Sequence, residues 1–340
     1  MKTAVIILNY NGISLLEEYL PSVTANTLDA DIIVADNGST DGSVQWLNQH
    51  YPTVRLLAFD RNYGFAEGYN KAIRNVEADY VVLLNSDVNT PEGWLQPLVE
   101  TLDKHRDCVA CQPKIIADKR RSHFEHAGAA GGFIDKYGYP LCRGRMIDIV
   151  EEDHGQYDTD IEIFWATGAC MMIRRQAYLE AGGLDSRFFA HQEEIDLCWR
   201  LKARGHSIRY VGRSTVYHLG GGSLGYESPR KVYLNFRNNA LMLYKNLPAN
   251  EYWHIAPFRL LLDYLAGLQM LLQGKKEHFK AVINARRDFR KTKNDFRADR
   301  RTNLSLTVTK KIKGRLNLWV IWQVYINKKT KFSDLHPSTK

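Results

Sequence analysis

The hydrophobic pattern is sharpest at Tyr80-Val81-Val82-Leu83-Leu84, which runs without a polar break and stops at Asn85-Ser86-Asp87. Such a run predicts a strand covered on both faces, with functional side chains gathered at its C-terminal tip. Upstream, shorter apolar runs alternate with helical periodicity. Strands are predicted over residues 3–8, 31–35 and 54–59, and helices over 15–23, 44–50, 66–75 and 92–105. Ser14 is the cap candidate of the first helix, Ser39 and Asp41 of the second, and Thr90-Pro91 is a cap and first-turn signal for the fourth. Repeated β-α-β spacing defines an α/β fold with a mostly parallel sheet and right-handed crossovers. The strand tips place Asn9, Asp36, Asp60 and Asp87 along one edge, where open α/β sheets collect ligands.

From about residue 119 to 160 the periodicity weakens, and glycines at 128, 131, 132, 138, 144 and 155 suggest a long irregular excursion. Regular structure is predicted again as a strand over 162–173, which contains Trp165-Ala166-Thr167-Gly168. A turn at Gly182-Gly183 and a helix over 193–204 closed by Gly205 follow, then strands over 208–211 and 215–218. Residues 255–272 are apolar, but Arg259, Asp263 and Gln269 interrupt them. Phe258, Leu261, Leu262, Leu265, Leu268, Leu271 and Leu272 fall at helical spacing, so an amphipathic helix is expected and not a membrane span.

Charge divides the chain. Residues 230–340 carry 24 Lys+Arg against 7 Asp+Glu, a net of +17, whereas residues 1–229 carry 22 against 31, a net of −9. Two parts with different partners are implied. In the basic part, Leu318-Trp319-Val320-Ile321-Trp322-Gln323-Val324-Tyr325-Ile326 is bracketed by Lys310, Lys311, Lys313 and Arg315 on one side and Lys328, Lys329 and Lys331 on the other. Tryptophans between lysines suit an anionic membrane surface. A homo-oligomer interface explains the apolar faces equally well, and no nucleic-acid motif accompanies the positive charge.

Five scattered cysteines favour reduced thiols in the cytoplasm. The apolar run 4–8 is too short for a secretion signal. Cys108 and Cys111 form a C-x-x-C without a second pair, on a predicted strand where positions three apart face opposite ways, so zinc is not expected. The first loop, Asn9-Tyr10-Asn11-Gly12, matches neither glycine-rich phosphate cradle. A sheet edge rich in carboxylates repels phosphate unless a divalent cation bridges the two, so a nucleotide here is expected to arrive with a metal.

Four ordered stretches carry a resemblance: Val5-Ile6-Ile7-Leu8-Asn9-Tyr10-Asn11-Gly12, Val34-Ala35-Asp36-Asn37-Gly38-Ser39-Thr40-Asp41-Gly42-Ser43, Asn62-Tyr63-Gly64-Phe65-Ala66 and Leu83-Leu84-Asn85-Ser86-Asp87. With Gly168, the block 193–200 and His218-Leu219-Gly220-Gly221, the chain resembles family 2 glycosyltransferases of GT-A fold, rhamnosyltransferase-like branch, over about residues 3–245. The resemblance implies a GT-A domain over 1–229, with a donor half of about 1–118 and an acceptor half of about 119–229, followed by a basic helical extension over 230–340.

It also implies roles. Asn9, Tyr10, Asn11, Asp36, Gly64, Asn85 and Ser86 would line the nucleotide-sugar site. Asp87 and His218 would hold a divalent metal, Mg or Mn, with Asn85 standing where the family pattern has its first aspartate. Glu194 would be the base of an inverting transfer, with Glu193 able to replace it, because the family writes Glu-Asp-x-Asp where this chain has Glu193-Glu194-Ile195-Asp196. Trp165 and Gly168 would shape the acceptor pocket, and core packing is the other reading of Trp165. For Asp41 the plainer reading, a turn and helix cap, is preferred. The expected enzyme moves a sugar from a UDP- or dTDP-linked donor to a lipid-linked or polysaccharide acceptor at the inner face of the cell membrane. The alternative is a non-catalytic sugar-nucleotide-binding scaffold, whereas a nucleotidyltransferase would need basic residues near the first loop, and none stand there.

Overall fold

The computed structural model describes residues 1–220, 228–309 and 311–335, so Gly221, Gly222, Ser223 and Lys310 lie outside the described residues. Its centre is a nine-stranded mixed sheet built from β1 (Thr3–Asn9), β2 (Asp31–Asp36), β3 (Arg55–Ala58), β4 (Tyr80–Asn85), β5 (Val88–Asn89), β6 (Cys108–Ala117), β11 (Ile161–Glu162), β12 (Cys170–Arg174) and β13 (Ser207–His218). The order is β11-β13-β6-β12-β4-β1-β2-β3, with β5 paired to the end of β13. Strands β1, β2, β3 and β4 run parallel, and β12 runs antiparallel between β4 and β6. As its composition requires, β4 is covered on both faces: Val81 and Leu83 enter one core layer, Val82 and Leu84 the other.

Helices α1 (Ile13–Asn26), α2 (Ser43–His50) and α3 (Gly64–Arg74) make the first crossovers. Ser14 is not the cap of α1, which starts one residue earlier; the Ile13 amide donates to Asp41 Oδ2 at 2.9 Å. Asp41 also accepts from the Ser43 amide at 3.0 Å, so one carboxylate ties the starts of two helices together. The fourth helix is shorter than predicted. Residues 88–89 pair with β13 instead of entering a turn, and α4 covers only Gln96–Lys104, with Pro97 in its first turn.

Four further expectations change. Residues 119–160 are not irregular: β7 (Gly132–Asp135), β8 (Pro140–Cys142), β9 (Arg145–Met146) and β10 (Ile149–Val150) form a second sheet, completed by β14 (Arg315–Leu316) alongside β7. Strands of two to four residues hold too few positions for alternation to show. The single strand predicted over 162–173 is two, β11 and β12, separated by a loop, while the two predicted over 208–211 and 215–218 are one, bent by a register shift between Val211 and Thr215. A second shift near Cys108 places Cys108 and Cys111 in the same core layer, against the alternation expected of them. All five cysteines are buried and unpaired.

After α5 (Arg175–Glu180) and α6 (Glu193–Ala203), the basic part forms α7 (Pro229–Asn246), α8 (Ala249–Leu272), α9 (Lys276–Thr292), α10 (Arg297–Ser305) and α11 (Val320–Tyr325). Helix α7 lies against α6. Lys245 Nζ (2.8 Å) and Asn246 Nδ2 (2.8 Å) donate to Asp196, which also accepts from Arg200 Nε at 2.9 Å. Asp196 is fully buried, and burial alone would raise its pKa, but Lys245 and Arg200 hold it below the ordinary range. Removing the carboxylate leaves buried Arg200 without its carboxylate partner and buried Lys245 with Asp185 alone. Asp196→Ala is therefore expected to lower the unfolding free energy by about 3–5 kcal/mol in chemical denaturation.

Candidate active site

The tip of β4 and the end of β13 meet because β5 pairs Val88 with His218. That pairing sets His218 Nε2 3.1 Å from Asp87 Oδ1, with Asn85 Nδ2 3.3 Å from the same nitrogen. The Leu219 amide donates to the Asp87 carbonyl at 3.0 Å and fixes the corner. On the far side of the ring, His218 Nδ1 stands 3.2 Å from Glu125 Oε2, at ion-pair distance, and all three side chains are buried. Burial would lower the His218 pKa, but the carboxylates on either side outweigh it and push it up to about 10. Glu125, which burial would raise, is pulled down to about 2 by His218.

This donor set fits a divalent cation. A carboxylate behind Nδ1 holds a proton there, so a cation beside Asp87 would displace only the Nε2 proton that the two carboxylates otherwise keep on the ring. Among the described residues no group of three or more acidic, histidine or cysteine side chains converges to enclose a cation. A cation at Asp87 and His218 would therefore complete its coordination with ligand oxygens, as small hard cations do with substrate phosphates.

The neighbouring strand tips form a hydrogen-bonded edge. Asn9 Nδ2 donates to Asp36 Oδ2 (2.9 Å) and Ser39 Oγ (3.2 Å), and Asp36 Oδ1 accepts from the Ser39 amide (2.9 Å). Asp36 and Asn9 are buried, and Asn9 Oδ1 has no hydrogen-bond partner. Asn11, at φ 48°, accepts from the Thr40 amide at 2.7 Å, and Tyr10 stands half exposed above the edge. Asn37, adjacent to a predicted residue but not itself predicted, organises the next loop. Its Nδ2 donates to Asn62 Oδ1 and to the Gly64 carbonyl, both at 3.1 Å, and its Oδ1 accepts from the Tyr63 amide at 3.0 Å.

Gly64 has φ +79°, and a Cβ there would stand 2.6 Å from the Phe189 ring. The Phe65 and Ala66 amides both donate to the Phe189 carbonyl, at 2.9 and 3.2 Å. The start of α3 is thus docked on the segment that leads into the two glutamates at the head of α6. In that segment Phe189, His191 and Gln192 all have positive φ, a concentration of backbone strain that a surrounding structure must hold in place. Asn238, fully buried on α7, does so: its Nδ2 lies within hydrogen-bond distance of the carbonyls of Phe188 (3.0 Å), Ala190 (2.9 Å) and His191 (2.8 Å).

Glu193 is buried and Glu194 half-buried. Glu193 Oε2, Glu194 Oε2 and His191 Nε2 are buried atoms without a hydrogen-bond partner, a cluster of orphaned polar groups of the kind a ligand satisfies. Burial pushes Glu194 up to about 7. Burial and the neighbouring Glu194 charge push Glu193 well above the ordinary carboxylate range. Both carboxyls are thus shifted towards their neutral forms, Glu193 by burial and by the Glu194 charge, Glu194 by burial. Asp196, in contrast, is occupied by Lys245, Asn246 and Arg200.

Of the two residues predicted for the acceptor side, Gly168 faces the Phe65 ring, where a Cβ would stand 3.0 Å away. Trp165 is packed in the core; its ring covers Gly132 and its Nε1 donates to the Phe133 carbonyl at 2.9 Å. Beside Leu219, a cavity of about 550 Å³ is lined by Arg120, His123, Glu125 and His126, all from the stretch without periodicity. Sequence reasoning missed Glu125, for which no local signal exists. It also missed Asn238, whose signal is the pair Asn238-Asn239 inside a helix that such residues disfavour.

A nucleotide-type edge, a buried Asp–His pair at the strand tips and a carboxylate pair at a helix head define a GT-A glycosyltransferase. The chain belongs to glycosyl transferase family 2, whose model matches residues 4–182, and within it to the rhamnosyltransferase-like branch. It is 27% identical over 261 residues to an N-acetylglucosaminyl-diphospho-decaprenol L-rhamnosyltransferase of Mycobacterium tuberculosis, covering 72% of this chain and 83% of that protein. Among solved structures, a mannosyltransferase from Pyrobaculum calidifontis, in complex with GDP-Man and Mn2+, shares the fold with a TM-score of 0.52 at 14% identity, covering 90% of this chain and 85% of that one. GalNAc-T7 with UDP, GalNAc and Mn2+ superposes with a TM-score of 0.56 at 17% identity; the match covers 72% of this chain and about half, 48%, of that one.

The glutamate pair makes a prediction about stability. Folded Glu193 keeps a proton that the unfolded chain releases near the ordinary value of 4.5. Its contribution is therefore most favourable below that pH and is lost as pH rises towards the raised folded value. Glu193→Gln removes this dependence. Its melting temperature is expected to gain on the wild type as pH rises above the ordinary carboxylate value of 4.5, as read by scanning calorimetry.

Proposed function

We propose that the chain transfers a sugar, with inversion, from a UDP- or dTDP-linked donor to a lipid-linked or polysaccharide acceptor in cell-surface glycan synthesis. The observation that carries this reading is the Glu193–Glu194 pair, docked through Phe189 on the loop that borders the donor edge. Support for the acceptor class comes from the mycobacterial relative, whose name describes rhamnosyl transfer to a lipid diphosphate. Such an acceptor places the reaction on the cytoplasmic face of the membrane, at an anionic lipid surface.

Glu194 is assigned as the general base. Near neutrality it is partly ionised, and being the more open of the two it is the one an acceptor hydroxyl can reach. It removes the hydroxyl proton while the oxygen attacks the anomeric carbon from the face opposite the diphosphate; the bond from that carbon to the phosphate oxygen breaks and the nucleoside diphosphate leaves. Burial and the Glu194 charge favour the neutral form of Glu193, which limits the negative charge beside the attacking oxygen. Asn9, Tyr10, Asn11, Asp36 and Gly64 form the wall that receives the nucleoside, with Asn85 and Ser86 at the phosphate end. The Asp36 carboxylate both organises the Ser39 turn and remains an acceptor for a base N–H. Gly168 leaves room for Phe65 between donor and acceptor sides.

Asp87 and His218 would hold a divalent cation, Mg or Mn, which when bound neutralises charge on the diphosphate leaving group. Glu125 orients His218 for that task.

Two outcomes follow. Glu194→Gln should lose transfer by about 10²–10⁴-fold, the usual worth of a general base, with the affinity for UDP or dTDP unchanged in titration calorimetry. In the wild type, kcat should rise with pH through an ionisation near 7, because the base must be deprotonated; a profile flat from about pH 5 to about pH 9 would remove Glu194 from the role.

A further inference from the structure

Helix α8 is built inside out. Along its 24 residues, the positions turned into the protein include Arg259 and Asp263, whereas Trp253, Leu261, Leu265, Leu268 and Leu272 face outward and are 46–81% exposed. These outward residues, with Pro257, recur every three or four positions and form one stripe without a charge. The inward charges are paired within the protein. Arg259 Nη1 donates to the Tyr137 carbonyl at 3.0 Å and its guanidinium lies over the Tyr139 ring; Asp263 is paired with Arg286 of α9 and with Arg259. Gly267 closes α8 against Phe279 and Val282 of α9. The helix is long and apolar enough to cross a membrane, but with its ionic side locked into the protein it can meet a bilayer only along its length, lying in the plane.

The surroundings of the stripe select its partner. Arg290 of α9 donates to the Tyr264 hydroxyl at 2.7 Å, which places a cation directly beside Leu261 and Leu268, one turn either side of Tyr264. Lys276, Lys280, Ile283, Arg287 and Arg290 share the outer face of α9 at helical spacing. At the other end, the Phe258 ring is 5.1 Å from that of Trp319, which stacks on Trp322 at 5.7 Å. This extends the apolar surface to Trp322, Tyr325 and Ile326, which are 45–57% exposed. Leucines for the acyl boundary, indole and phenol rings for the headgroup level and a flanking row of cations together form an interfacial anchor. A second copy of the chain is a poorer occupant, since pairing two such faces would bring two rows of cations together in a region whose net charge is +17.

We infer that the α8 leucine stripe, with the Trp319–Ile326 segment and the basic face of α9, docks the enzyme on an anionic lipid bilayer. This deepens the reading of a lipid-linked acceptor by naming the surface that brings the catalytic carboxylates to it.

The test is flotation of the full chain with vesicles of phosphatidylcholine, alone or with about one-third phosphatidylglycerol. The wild type should float with the anionic vesicles and weakly with the neutral ones. Leu261→Gln/Leu265→Gln/Leu268→Gln should weaken flotation by at least about ten-fold. Lys276→Gln/Lys280→Gln/Arg287→Gln should bring it down to the level seen with neutral lipid. Both variants alter exposed side chains, so circular dichroism and nucleotide affinity should match the wild type. Equal flotation of the leucine variant and the wild type overturns the proposal. So does a wild-type dimer, seen by light scattering, that the leucine variant converts to a monomer while flotation persists; the face would then belong to a second copy. Failure of the transfer reading shows separately, as absent nucleotide binding with flotation intact.

Discussion

The pairing of Val88 with His218 is the contact on which the site depends. It joins residues 130 positions apart through a two-residue strand, and it brings the tip of a buried central strand and the end of a late strand to one place. Without it Asp87 would be a carboxylate at a strand tip with no partner, costly to bury and free to hydrate. With it, an imidazole lies between two carboxylates, and the excess negative charge of that trio is what a divalent cation would neutralise. The electrostatics of the donor side thus follow from a single piece of sheet registry.

The glutamate pair proposed for catalysis is held differently. Glu193 and Glu194 sit at the head of a helix, where the macrodipole favours ionised carboxylates, yet burial dominates and raises both. The strained segment before them is fixed by Asn238 and by the Phe189 contacts with Gly64, Phe65 and Ala66. Below it, Asp196 is locked by Lys245 and Asn246. Helix α7, the first element of the basic part, therefore forms the back of the segment that carries the two glutamates. The change of charge near residue 230 marks a change of surface, and the core runs continuously across it.

What could be read from the sequence follows from how local each signal is. The β4 run, the early strand–helix alternation and the cluster of polar tips were legible because each occupies a short window with its own period. Asp41 was legible as a cap, though its second helix was not, since that contact spans 28 residues. The second sheet was invisible because its strands are too short to alternate, and the merging of 208–211 with 215–218 because a bulge breaks the period. Glu125 and Asn238 act through contacts 93 and 47 or more residues away in sequence, which no local pattern carries. Periodicity split α8 into two faces correctly; it could not say that the charged face is the inner one, because that depends on Tyr137 and Arg286 being there to receive it.

The central claim is that Asp87 and His218 form a cation site completed by the diphosphate of the donor. The most direct measurement is the affinity of UDP and of dTDP, by titration calorimetry, as a function of Mn2+ concentration in the wild type and in His218→Ala. The account predicts that Mn2+ tightens binding of the preferred nucleotide by about ten-fold or more, that the nucleotide tightens Mn2+ by the same factor, and that His218→Ala abolishes the coupling. Nucleotide affinity that is the same with and without Mn2+, in both proteins, would contradict it.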